Sequence, residues 1–195
     1  EPDKTIFRFL ERAANVYKTY TNQTLLEAVN YAVQQLLAEN CQKNDRIVLL
    51  FKANDLFIPA FLACFALGLI AVPVIFPTNR SMLEKFNQIC QDSDPKRIIS
   101  EKSVIEGMLA FDPSFIDQHS FIDLSALNET FENTSPILPA VTTSEIAFLQ
   151  YTSGSTAAPK GVMVTHENLM DNLSILAKVY RLDNRKKEEI KLLFS

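Results

Sequence analysis

An α/β fold, with helices flanking a parallel or mixed sheet, is the fold class this sequence predicts, on three observations. Short runs without polar alternation, RIVLLF at 46–51, AVPVIF at 71–76 and KRIIS at 96–100, have the composition of strands covered on both faces. Stretches of helical periodicity lie between them, the order that places helices on the two faces of a sheet. The 195 residues, 47% hydrophobic and 22% charged, suffice for one full-sized core.

The elements follow in order. From Thr24 to Asn40 the apolar positions Leu25, Ala28, Val29, Ala32, Val33, Leu36 and Leu37 recur at helical spacing, so this helix buries one face. The strand RIVLLF comes next. Residues 56–76, LFIPAFLACFALGLIAVPVIF, carry no charge and are long enough to cross a bilayer. Pro59 and Pro73 fall inside that stretch, and Gly68 divides it into a helix at 55–67 and a strand at 71–76. As a helix, 55–67 would rise only about 20 Å, short of a membrane core. A buried helix and a buried strand are therefore expected, with no transmembrane span. Ala60, Ala63 and Ala66 allow that helix a close approach to its neighbours.

A polar helix near 80–91 precedes the turn signal Asp92, Ser93, Asp94, Pro95 and the strand KRIIS. A helix near 101–110 and a short strand at 120–123 continue the alternation. The segment 133–145, NTSPILPAVTTSE, is a connecting loop that delivers the chain to a strand at 146–151. LDNRKKEE at 182–189 is a solvated turn. The closing run IKLLFS has strand character without turn or cap, so the chain is expected to be the front portion of a longer protein.

Composition excludes some function classes. A net charge of −4 argues against coating of nucleic acid, which needs a basic face. Cys41, Cys64 and Cys90 are far apart and not spaced as metal or redox pairs, which fits a reduced, cytoplasmic setting. With only His119 and His166 besides, no zinc site is expected. No signal- or transit-peptide pattern is visible from Glu1 onward.

The chemistry concentrates at QYTSGSTAAPKGVMVTHEN, residues 150–168. A strand that ends in Thr152, Ser153, Gly154, Ser155 and Thr156 gathers amides and hydroxyls at the carboxyl edge of a sheet, where ligands of open α/β sheets bind. Gly154 permits backbone geometry closed to other residues, and the hydroxyls donate to phosphate oxygens without adding fixed charge. Lys160 supplies a compact, mobile cation. Phosphate is the natural ligand. A Walker loop is excluded, since it needs glycine before the lysine and a hydroxyl after it, whereas Pro159 precedes Lys160 and Gly161 follows. The competing structural reading is a polar turn that VMVT, 162–165, closes into a hairpin. His166 follows the N-cap residue Thr165 and opens a helix whose Leu169, Leu173, Leu176 and Tyr180 are expected to face inward, so it is assigned a structural role.

YTSGSTAAPKGVMVTHENL resembles the phosphate-loop signature of the adenylate-forming enzymes. IAFLQYTSGST, KNDRIVLLF and GLIAVPVIFP most resemble the fatty acyl-AMP ligases among them. The resemblance implies that residues 1–195 are the amino-terminal part of the large, acyl-adenylating domain, with the remainder and a carboxy-terminal lid domain lying beyond. It implies ATP-dependent activation of a fatty acid, of medium or long chain, to an acyl-adenylate with release of pyrophosphate, assisted by Mg2+. The acyl group would pass to an acyl carrier protein, or to CoA if the chain is an acyl-CoA synthetase. Thr152, Ser153, Gly154, Ser155, Thr156 and Lys160 would line the β- and γ-phosphates, Lys160 acting in catalysis and Gly161 supporting the turn. Many members of the superfamily carry a second glycine where this chain has Ala157, which predicts a stiffer loop. A catalytically silent nucleotide-binding or carrier-docking module is the reading from a different class.

Overall fold

The computed structural model describes residues 1–10, 15–52, 54–111, 113, 120–128, 136–152 and 159–180. It opens with a hairpin of β1 (Thr5–Leu10) and β2 (Val16–Thr21), followed by α1 (Asn22–Ala38), β3 (Arg46–Phe51), α2 (Asn54–Ala66) and β4 (Ile70–Ile75). Next come α3 (Arg80–Ser93), β5 (Arg97–Ser100), α4 (Lys102–Phe111), β6 (Phe121–Asp123) and a 3-10 turn (Ser125–Asn128). The described residues end with β7 (Ile146–Thr152), β8 (Lys160–Thr165) and α5 (His166–Val179).

Six strands form the main sheet in the order β6-β5-β3-β4-β7-β8. All neighbours are parallel except β7 and β8. The alternation of side chains along β3 splits the core into two layers. Ile47, Leu49 and Phe51 join one cluster with Ala32, Leu36, Ala60 and Ala63 of α1 and α2. Val48 and Leu50 join the other with Leu83, Phe86 and Cys90 of α3 and Val104 and Met108 of α4. Every residue from Ile47 to Leu50 is fully buried, which is why the run lacks polar alternation. Ser100, also buried, donates its hydroxyl to the Leu50 carbonyl at 2.6 Å, so this polar group between the strands is satisfied.

The uncharged stretch 56–76 resolves as expected, into α2 from its third residue onward and all of β4. No helix among the described residues is long and apolar enough to cross a membrane. Between α2 and β4, Gly68 takes φ +63 while the Leu69 amide bonds the Cys64 carbonyl at 2.9 Å, a helix stop that turns the chain back into the sheet. Asn40 ends α1 in the same way, with φ 55 and the Cys41 amide on the Leu36 carbonyl. α1 begins two residues earlier than its periodicity suggests, because Thr21 caps it in a reciprocal box with Thr24.

Two findings depart from the sequence reading. The β1–β2 hairpin was not anticipated; Tyr20 leads from it into the core, its ring edge-on to Phe9 at 6.1 Å. The helix after Thr165 forms, but its apolar face is not turned inward. Leu173 is 50% exposed, Leu176 39% and Tyr180 59%, and only Leu169 is half-buried. The physical reason is position: α5 follows the edge strand β8, and no described element lies over that face.

Candidate functional site

The candidate site is the mouth of the β7–β8 hairpin. The antiparallel register pairs Thr152 with Lys160, Tyr151 with Gly161 and Gln150 with Val162. The two ends of the hydroxyl-rich loop are thus held opposite one another, with both Thr152 and Lys160 exposed. Ser153, Gly154, Ser155 and Thr156, and with them Ala157, lie outside the described residues. Lys160 and Gly161 are strand residues, which corrects their assignment to a loop and a turn: the ladder reaches as far as the lysine.

Gly161 has a packing reason of its own. A β-carbon there would lie 2.9 Å from Cζ of Tyr151 and 3.1 Å from its hydroxyl, so the ring of the facing residue occupies the space of a side chain. That ring leans toward α3, where the hydroxyl donates to Asp92 Oδ2 at 2.5 Å. Burial first, and then the hydrogen bond to the Asp92 carboxylate, hold the phenol above its ordinary range.

Location in the sheet gives the hairpin mouth its significance. β7 runs parallel to β4, with Ala71 beside Phe148, so the loop leaves the same carboxyl edge at which β3 and β4 end. The chain passes from β3 through α2 to β4 on one face, then returns through α3 on the other face to β5, beyond β3. Such a switch point opens a crevice between adjoining strand ends. A cleft of about 510 Å³ is found there, lined by Phe51, Lys52, Phe57, Val74, Phe76 and Thr78 among others. The Lys52 ammonium lies 4.3 Å from the Phe76 ring centroid, at cation–π distance. Sequence reading missed this cleft, although a lysine directly after a fully buried strand was a usable sign.

Among the described residues, the other titratable groups do not supply a reaction centre. His166 sits at the start of α5, its ring edge-on to Phe65 at 5.2 Å, and its Nε2 is buried without a hydrogen-bond partner among the described residues. That environment offers no acid–base relay and fits the structural role. All three cysteines are free and buried. Burial raises each thiol, Cys90 to about 12, so none is a ready nucleophile. Among the described residues no group of three acidic, histidine or cysteine side chains gathers into a metal site. The magnesium ion expected with ATP finds no ready-made ligand set there.

Comparison with known proteins decides the family. The profile of the AMP-binding enzymes matches residues 1–193. The chain belongs to that family. This AMP-binding chain is 29% identical over 185 residues to FadD21 of Mycobacterium tuberculosis, by name a fatty-acid–CoA ligase, covering 92% of the chain and 32% of the relative. It superimposes on the crystal structure of a fatty acid AMP ligase from Legionella pneumophila with a TM-score of 0.82 and 35% identity, over 92% of the chain and 31% of that structure. A second structure, a fatty acyl-adenylate ligase from L. pneumophila in complex with acyl adenylate and pyrophosphate, gives 0.76 at the same identity and the same coverage of both chains, 92% and 31%. The AMP-binding chain spans about a third of the length of these relatives.

Proposed function

We propose that this chain is the amino-terminal part of an acyl-adenylating domain, in an enzyme that activates a fatty acid with ATP. In the reaction a carboxylate oxygen of the acid attacks the α-phosphorus of ATP. The bond from that phosphorus to the bridging oxygen breaks, and acyl-adenylate and pyrophosphate form. Thr152, Ser153, Gly154, Ser155, Thr156 and Lys160 hold the β- and γ-phosphates as the pyrophosphate departs. Gly161 keeps the adjoining strand close. Donors aimed in advance at departing charge lower the barrier without a proton transfer, so the site needs no catalytic base of its own. Magnesium, when bound with the triphosphate, would neutralise part of its charge.

The observation that carries this reading is the pairing of Thr152 with Lys160 at the carboxyl edge of a parallel sheet, beside a switch-point crevice. The likeness to two structures of fatty acid AMP ligase from L. pneumophila supports the substrate class and favours an acyl carrier protein as acceptor, while FadD21 keeps CoA as the alternative. Three free, buried thiols accord with a cytoplasmic setting.

Pyrophosphate exchange into ATP, measured on the full-length protein with a fatty acid present, tests the reading. Lys160→Ala should slow exchange roughly ten- to a hundred-fold, the effect of losing a charge-assisted hydrogen bond of about 1.5–3 kcal/mol. Its stability should change by less than about 0.5 kcal/mol, because the side chain is exposed. Unchanged exchange in Lys160→Ala would show the hairpin mouth to be a plain turn. Nucleotide binding without exchange in the wild type would instead favour the silent module.

A further inference from the structure

We propose that Tyr151 is a positioning residue for the phosphate loop, clamping both of its stems to α3 through Asp92; this rests on the adenylation reading above. Tyr151 immediately precedes Thr152, where the loop leaves β7, and its ring covers Gly161, just after the loop returns at Lys160. One side chain therefore touches both ends of the loop. The far end of the ring is tethered as well, since the hydroxyl donates to Asp92 Oδ2 at 2.5 Å.

That tether leads to fixed structure. Asp92 lies in the last turn of α3, between buried Cys90 and buried Ser93. Arg46, at the start of the central strand β3, donates to the Ser93 carbonyl and, at 3.1 Å, to the Asp94 carbonyl. The loop stems are thus braced against the middle of the sheet. By backbone pairing alone the returning stem, Lys160 and Gly161, would rest on β8, an edge strand, which frays more easily. A loop that binds phosphate through many weak donors depends on how firmly its ends are held, and a displacement of an ångström can cost as much as a hundred-fold in rate.

The test uses the full-length protein with Tyr151→Phe, Asp92→Ala and the double variant. Tyr151→Phe keeps the ring over Gly161 and removes only the tether, so the fold is retained. Hydrogen exchange should quicken at the amides of 150–152 and 160–162 in each variant and stay unchanged in β3 and β4. In pyrophosphate exchange kcat should fall about ten-fold with the KM for the fatty acid unchanged. The double variant should lose no more than either single one, because both remove the same bond. Unaltered exchange at the stems in Tyr151→Phe overturns the clamp, whatever the activity. Quickened exchange with unaltered kcat overturns its positioning role. If the wild-type protein shows no pyrophosphate exchange, the adenylation reading falls and, with it, this role for Tyr151; the amide measurement then decides the clamp alone.

Discussion

Replacing Gly161 with alanine probes the packing that closes the hairpin stem. In open space the substitution would favour the folded state slightly, because glycine in a strand costs about 0.5–1 kcal/mol in backbone entropy. Here the new methyl group would lie 2.9 Å from Cζ of Tyr151, 3.1 Å from its hydroxyl and 3.2 Å from Cε2. The ring must retreat by roughly half an ångström or more to regain ordinary carbon–carbon contact near 3.5 Å. Its freedom to do so is limited, since the hydroxyl is bonded at 2.5 Å to Asp92. Overpacking of this kind typically costs about 1–3 kcal/mol, and a stretched hydrogen bond adds a fraction of about 1 kcal/mol. The clash therefore outweighs the entropy gain, leaving a net loss of about 1–2 kcal/mol. Read by hydrogen exchange of the amides of β8, that loss appears as roughly a ten-fold acceleration, at about 1.4 kcal/mol per ten-fold. In a Tyr151→Ala background the same replacement should have little effect. Rates within two-fold of wild type in Gly161→Ala, or an equal acceleration in both backgrounds, would refute the packing argument.

Three further outcomes are expected. Gly68→Ala should destabilise the α2–β4 corner by about 1–2 kcal/mol, the penalty for an L-residue in the left-handed region, since φ there is +63; an unchanged unfolding midpoint would contradict it. Cys41, Cys64 and Cys90 should resist a thiol reagent at pH 8 in the native protein and react only on unfolding, because burial keeps each thiol protonated; rapid native labelling of any one would refute this. The Glu145 carboxylate accepts from Lys43 at 2.8 Å and from the Thr142 hydroxyl at 2.9 Å, which holds its pKa below the usual carboxylate range. Its contribution to stability is therefore complete above the unfolded value of about 4.3 and lost as pH falls through the folded one. The stability gap between wild type and Glu145→Gln should be flat near neutrality and shrink below about pH 4; a gap independent of pH would count against the ion pair.

Legibility from the sequence followed from how local each cause is. RIVLLF had to be a central strand, because six residues without polar alternation can be accommodated only where both faces are covered, and Ile47 to Leu50 are indeed fully buried. Gly68 likewise announced that 56–76 breaks into helix and strand, since a glycine between two apolar runs offers the left-handed turn that ends a helix, whereas Pro59 and Pro73 came to lie inside α2 and β4. The hydroxyl-rich loop was legible because its donors are consecutive in the chain. The β1–β2 hairpin escaped notice despite the alternation in VYKTYT, being a small ribbon exposed on most of its surface. The exposure of Leu173 and Leu176 could not be read either: periodicity says that a helix has an apolar face, and only the surroundings say whether anything covers it.

By itself, then, the sequence determined what depends on neighbours along the chain: the alternation of elements, the buried strands, and the hydroxyl-rich run from Thr152 that ends at Lys160. The tertiary structure decided what depends on residues brought together from afar. It put Thr152 across from Lys160, laid the Tyr151 ring over Gly161 and joined its hydroxyl to Asp92, 59 positions away in the chain. It also opened the cleft between Lys52 and Phe76 where β3 and β4 end. Strand order and register set these meetings, and both are fixed by the packing of two whole layers of helices on the sheet, a property that no short window of sequence contains.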